Sequence, residues 1–442
     1  MRPASCPSGF VRVDGAHRIS VRRQGNVCTA STAVCLLVYT VWMRVSGMIR
    51  EMNAKPSATP RAHPLSGIRV VEFCQIASGP FCGMLLADFG AEVIKIEPPE
   101  GDAMRTWPPL SDGYSENFAS LNRGKKSIAL NLKDPQDLDV ARRLALQADV
   151  VLENSRPGAM QRLGLGWDWF RERRPQLVYC SISAYGQDGP RGHEGGFDLT
   201  IQAAAGVMSV TGEPDGAPVK AGVPLADFAS GLYAAYSIAA MVARVRAGGP
   251  GGMVDVPMFA ATLGISALQT SEYFGTGNNP RKLGSAHPRN APYQAYGAAD
   301  GWFAIAAGNN RLWLQVCGVV GAEALTQDPR FVSPTLRARH QQALKELLDP
   351  LFAQRGVAHW LDAFTAAGVP CAPINGYREA LADPQTAHLA LVREQVLPGG
   401  RMTRTVGCPV RIDGRVLDVD TAPPALDADG DILRRTAREL VA

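Results

Sequence analysis

From Ile68 onward the apolar positions fall into short runs separated by amphipathic stretches, so two periods alternate along the chain. Ile68–Phe73, Ala91–Ile96, Ser127–Asn131, Asp149–Leu152 and Leu177–Ser183 have the length and composition of strands; Gly79–Phe89, Asp134–Gln147 and Trp167–Arg173 carry helical spacing. The first run, the helix and the second run make a βαβ unit, and its repetition predicts an α/β protein with a parallel sheet covered by helices. After the turn-rich Gly248–Gly252 the pattern gives a strand at Met253–Val256 and a helix at Phe259–Leu268. Composition then shifts to a polar stretch between Gly275 and Pro292, a linker or binding loop into a second unit. That unit reads as a strand at Trp302–Ala306 and helices at Arg311–Val319, Leu336–Gln354 and Val357–Ala367. From about Ala390 the chain is strand-rich again before a short helix, Asp431–Leu440.

The segment before this pattern is different in kind. Residues 1–64 hold nine Lys/Arg against Asp14 and Glu51, a charge of +7 within a chain of net +4, so the remaining body is slightly acidic at −3. That balance excludes a compositional case for nucleic-acid binding. The uncharged run Gln24–Met43 follows Arg22 and Arg23, yet Ser, Thr, Gln and Asn make it a poor membrane span. Met48 and Met52 stand just ahead of the regular pattern, and 1–64 is read as an N-terminal extension, disordered or a misassigned start. The nine cysteines show no CxxC or Cys/His ligand spacing, which predicts a reduced, cytoplasmic protein without structural zinc.

One carboxylate stands out. In Val223-Pro224-Leu225-Ala226-Asp227-Phe228 the aspartate precedes a stretch, Phe228 to Ala243, with no charged side chain, which reads as a helix buried around most of its circumference. Asp227 then marks the helix N-terminus, either as an N-cap that accepts free amide bonds or as a nucleophile in an apolar, water-poor pocket. The turn Cys74–Pro80 after the first strand is the natural ligand crevice of a parallel sheet. It lacks GxGxxG, and the chain has neither GxxxxGK[ST] nor GxSxG, so nicotinamide, P-loop and α/β-hydrolase chemistry all lose support.

Six collinear strings carry a resemblance. They are Leu65–Phe73; Gly79-Pro80-Phe81-Cys82 with Leu86–Glu97; Asn122–Ser127; Val151-Leu152-Glu153-Asn154-Ser155-Arg156-Pro157-Gly158; Ser183–Pro190; and the string around Asp227. In these, the chain from Pro64 to its end resembles the family III CoA-transferases, the group of formyl-CoA transferase and carnitine CoA-transferase. The resemblance implies a homodimer of interlocked chains. It also implies a large Rossmann-like domain whose first part is 65–275, a linker and small domain at 276–389, and a C-terminal part, 390–442, that returns to the large domain.

The implied chemistry is CoA transfer from an acyl-CoA to a carboxylic acid by way of an aspartyl anhydride and an aspartyl-CoA thioester, with Asp227 as nucleophile and Asp198 as assisting carboxylate or structural hydrogen-bond partner. No tightly bound cofactor or metal is implied; the CoA thioester is substrate. Ile76, Ala77, Leu130, Lys133, Asn154, Arg156 and Arg162 fall at the family's CoA contacts, although Ala77 and Pro98 stand where formyl-CoA transferase has Gln and Arg. Gly101–Trp107, Gly284–Pro288, Pro292–Tyr296 and Ala307–Asn310 are similar to the succinyl-CoA:glutarate branch. That similarity points to succinyl-CoA as donor, to a short dicarboxylic acceptor such as glutarate, and to His287 and Arg289 as contacts for its distal carboxylate. The alternatives are an α-methylacyl-CoA racemase-type isomerase, whose proton-transferring His position holds Phe197 here, and a non-catalytic CoA-binding protein.

Overall fold

The computed structural model describes residues 63–417 and 421–439 and, ahead of them, the backbone of three short antiparallel strands, Val11–Val13, Ile19–Arg23 and Asn26–Ala30. The rest of the N-terminal extension, including most of Gln24–Met43, lies outside the described residues. Residues 1–62 form a unit separate from 63–442.

The alternating pattern folds as a six-stranded parallel sheet. Its strands are β1 (Arg69–Phe73), β2 (Glu92–Glu97), β3 (Lys125–Ala129), β4 (Val150–Glu153), β5 (Val178–Ser183) and β6 (Gly252–Pro257). In space they run β3-β2-β1-β4-β5-β6, the doubly wound order, which reverses direction between β1 and β4. Alternate side chains feed two cores. Val70, Val93, Leu152 and Cys180 pack under helices α1 (Ser78–Asp88) and α4 (Leu225–Arg246); Val71, Ile94, Val151 and Tyr179 pack under α2 (Pro135–Gln147) and the C-terminal helix Gly430–Glu439. That last helix is held against β3 by Asp427, which accepts the Ala129 amide at 2.8 Å, and by Asp429, which accepts the Ser127 amide at 2.9 Å. Helix α4 is long and apolar enough to cross a membrane, but Ala226, Ala234, Ile238 and Val242 bury one of its faces in the first core.

The middle of the chain builds a small antiparallel sheet, Tyr293–Gly297, Trp302–Ala306 and Cys371–Pro373, over its own aromatic core. Two helical expectations are corrected. The Phe259 pattern is broken at Ser266, whose backbone (φ −89°, ψ 24°) leaves the helical region, into α5 (Met258–Ile265) and a second helix running on to Thr276. Leu336–Gln354 likewise divides at His340, between helices Pro334–Arg339 and Gln341–Phe352.

Candidate active site

Parallel strands put all their carboxyl ends on one edge, so the segments after β1, β4 and β5 converge where the strand order reverses. A cavity of about 470 Å³ opens there. Its walls are the β1–α1 turn (Gln75–Ser78), the β4 turn (Asn154–Pro157), the end of β5, the Gly195–Phe197 segment leading into α3 (Asp198–Ala204), and Asp227 on α4. A larger recess of about 1040 Å³ lies between helix Tyr377–Ala382 and the 392–406 hairpin, away from Asp227. The smaller one holds the isolated carboxylate at the sheet's switch point, which makes it the candidate site.

Asp227 is not the N-cap. Helix α4 starts two residues earlier, after Pro224, whose side chain caps nothing. The cap is supplied from another helix: the Asp198 carboxylate accepts the Ala226 amide at 2.9 Å through Oδ1 and the Gln202 side-chain amide at 2.8 Å through Oδ2. Gln202, fully buried, in turn accepts the Ala221 amide at 2.9 Å and so ties down the approach to α4. Asp227 is left free of that duty. Burial, and secondarily the negative charge of Asp198, push its carboxyl up to about 7. Desolvation and a like charge thus outweigh the helix dipole, which favours the ionised form.

The opposite wall is held by buried charge. Ile76 adopts a left-handed backbone, φ 67°, and its amide is accepted by both oxygens of Asp102, at 3.1 and 3.2 Å. Asp102 pairs with Lys95 at 2.9 Å, and Lys95 also donates to the Cys74 carbonyl at 2.6 Å and reaches Glu72 at 3.5 Å. Glu72 pairs with Lys125 at 2.8 Å, and Lys125 reaches the Pro80 carbonyl, also at 2.8 Å. All four side chains are buried. Burial disfavours the Lys95 ammonium, but Glu72 and Asp102 outweigh it and raise its pKa. Asn154 closes the turn from the other side: its side-chain carbonyl accepts the Gln75 amide at 3.0 Å and its NH₂ donates to the Gln75 carbonyl at 2.9 Å. Next to it, buried Glu153 accepts the Ser155 amide at 2.8 Å, and burial lifts its carboxyl to about 7.

Of the residues singled out in the sequence, Ile76, Ala77, Asn154, Arg156 and Asp227 line this cavity, and Asp198 stands behind Asp227. Phe197 also lines it and is 68% exposed. Leu130, Lys133 and Arg162 are not among the lining residues. Leu130 is buried in the second core, so only its backbone is available, while Lys133, in a turn, and Arg162, at the end of the short helix Ala159–Arg162, are exposed on the same carboxyl edge of the sheet. His287 and Arg289 do not line the cavity either. The His287 ring stacks on Tyr293 at 4.9 Å and accepts the Arg289 amide at 3.1 Å; burial and then Arg289 lower its pKa. Arg289 pairs with Glu272 at 3.2 Å. Burial and the Arg289 charge both work against a cationic His287.

Lys95, Asp102 and Gln202 were invisible as site residues in the sequence, since each acts through a contact distant along the chain. The one local signal was charge inside strand-length apolar runs, Glu72 in β1 and Lys95 in β2.

Comparison with known proteins follows the same line. The model of CoA-transferase family III matches residues 65–430. The acetyl-CoA:oxalate CoA-transferase of Acetobacter aceti is 39% identical over 87% of this chain and 98% of its own length. The succinate–glutarate CoA-transferase of Agrobacterium fabrum is 35% identical over 85% and 95%, and the human succinyl-CoA:glutarate CoA-transferase 35% over 82% and 83%. A crystal structure of a CaiB/BaiF family protein from Brucella suis superposes with a TM-score of 0.76 at 36% identity, covering 85% of this chain and all of that one. With the doubly wound sheet, the crevice and the collinear strings all in agreement, this chain belongs to CoA-transferase family III and is a CoA-transferase.

Proposed function

We propose that the enzyme moves CoA from succinyl-CoA, or a similar acyl-CoA, to a short dicarboxylic acid such as glutarate, with Asp227 as covalent nucleophile. The observation that carries the nucleophile assignment is the freedom of Asp227: it lies in the crevice wall while Asp198 takes over capping of its helix. Two relatives named for glutarate support the acceptor class.

In the proposed sequence the ionised Asp227 carboxylate attacks the donor thioester carbonyl. The C–S bond breaks, giving an aspartyl anhydride and CoA thiolate. The thiolate attacks the aspartyl carbonyl and releases the donor acid, leaving an aspartyl-CoA thioester. The acceptor carboxylate attacks that thioester, again freeing thiolate, which takes the acceptor acyl group from the second anhydride and restores Asp227. Each exchange trades a thioester or anhydride for another of similar energy, so the protein mainly has to align the partners and exclude water. Free amides in the first turn of α4 are available to a developing oxyanion. Phe197 beside the cavity has no proton to transfer, which speaks against racemisation.

We further propose a homodimer working in a reducing compartment. Leu232 and Tyr236 on α4 and Leu268 and Phe274 on the helix Ala267–Thr276 are large apolar side chains left exposed, which supports a covering partner, and the six described cysteines are free. Incubation with succinyl-CoA and trapping by hydroxylamine or borohydride should mark the Asp227 peptide in mass spectrometry. Exchange of label between acids without any mark on that peptide would overturn the mechanism, and a mass of one chain in light scattering would overturn the dimer.

A further inference from the structure

We propose that Asp102 is a positioning residue for acyl-CoA, acting by locking the β1–α1 turn into the left-handed shape that lines the crevice. This rests on the reading that the crevice takes a CoA thioester. Among the described residues five non-glycine positions have positive φ, namely Ile76, Asp112, Ala390, Asp413 and Asp427, and Ile76 is the one β-branched residue among them. A β-branched side chain is the least suited to this conformation, so it persists only where its surroundings over-determine it. Those surroundings are specific. Both Asp102 oxygens receive the Ile76 amide, and the same carboxylate holds Lys95, which fixes the Cys74 carbonyl two residues upstream. The Asp102 amide is itself anchored on Glu97 at 3.0 Å, and Glu97 is gripped by Arg105 at 2.6 Å. One 1%-exposed carboxylate therefore clamps the turn at two points and ties both to the strand β2 scaffold. Gln75, Ile76, Ala77 and Ser78, which the clamp shapes, all line the cavity that contains Asp227. Asp102 itself does not, which distinguishes its role from contact with substrate.

The test is a double-mutant cycle read by calorimetric titration with coenzyme A and by steady-state KM and kcat for succinyl-CoA. Asp102→Asn should weaken CoA binding and raise KM about tenfold while kcat stays within about twofold. Glycine takes positive φ without strain, so in an Ile76→Gly background the same substitution should cost less than about threefold. Equal losses in both backgrounds overturn the proposal, as does native CoA affinity in Asp102→Asn with only a lowered Tm. If Asp102→Asn does not fold, the double variant decides: folded and CoA-binding supports the clamp, unfolded overturns it. A wild-type enzyme that binds CoA but transfers it to no acid overturns the proposed function and leaves the cycle readable. A wild type that does not bind CoA overturns both.

Discussion

The polar layer beneath the crevice and the core of the small antiparallel unit solve their polar problems in opposite ways. Beneath the crevice, Glu72, Lys95, Asp102 and Lys125 are buried together and paired in a chain of ions. In the small antiparallel unit the core is a cluster of rings, with Phe352 at 4.8 to 6.0 Å from Tyr296, Phe303, Trp360 and Phe364. Among the described residues its fully buried cation, Arg337, has no carboxylate partner: Nε and Nη1 donate to the carbonyls of Ala291 and Phe331, both at 2.9 Å, and Nη2 is left without a hydrogen bond. Ion pairs gain little stability over apolar packing once desolvation is counted, but they fix direction. Their concentration under the β1–α1 turn fits a region that must hold a backbone shape for chemistry, and the aromatic cluster fits one that needs only to be stable.

The comparison can be broken at several points. The largest effect is expected from Asp227→Asn, which should cost at least about 10³-fold in transfer rate. The same variant should be more stable than the parent at pH 8. Because the folded carboxyl is raised from 3.8 to about 7, its contribution is complete below the unfolded value and is lost as pH rises through about 7. The gain in Tm should be about 2–4 °C at pH 8 and vanish near pH 4 in a calorimetric scan. Next, Phe352→Ala should cost about 3–5 kcal/mol in denaturant unfolding while KM for succinyl-CoA is unchanged in the folded fraction. An altered KM would dissolve the distinction between the two regions.

Lys125→Met should cost about 3 kcal/mol by leaving Glu72 short of a partner, and here KM should rise as the turn loosens. The smallest effect is on pH. Wild-type kcat/KM should climb with unit slope below about 7 and level above it, as Asp227 ionises. Asp198→Asn keeps an acceptor for the Ala226 amide but removes the like charge and the acceptor for the buried Gln202 amide, so the acid limb should move to lower pH and Tm should fall. An unmoved limb would mean that desolvation alone sets the value.

Much of this was legible beforehand. The strands from β1 to β6 follow from their apolar runs, because a parallel strand buried on both faces needs little else. Asp227 could be singled out because a carboxylate next to an uncharged helix is conspicuous. The helix breaks at Ser266 and His340 were not, since the helical pattern of apolar positions runs on through both.

The sequence by itself determined the α/β alternation, the isolation of Asp227 and, through six ordered strings, the family resemblance, because these are properties of neighbours along the chain. Only the tertiary structure decided which polar residues serve the site. The Asp102 clamp on Ile76 spans 26 residues and the Asp198 cap on Ala226 spans 28, and both bonds exist because strand order brings distant turns to one edge. The state of Asp227 belongs to the same class. Its pKa is set by what surrounds it after folding, burial first and Asp198 second, and no reading of the residues beside it along the chain contains either.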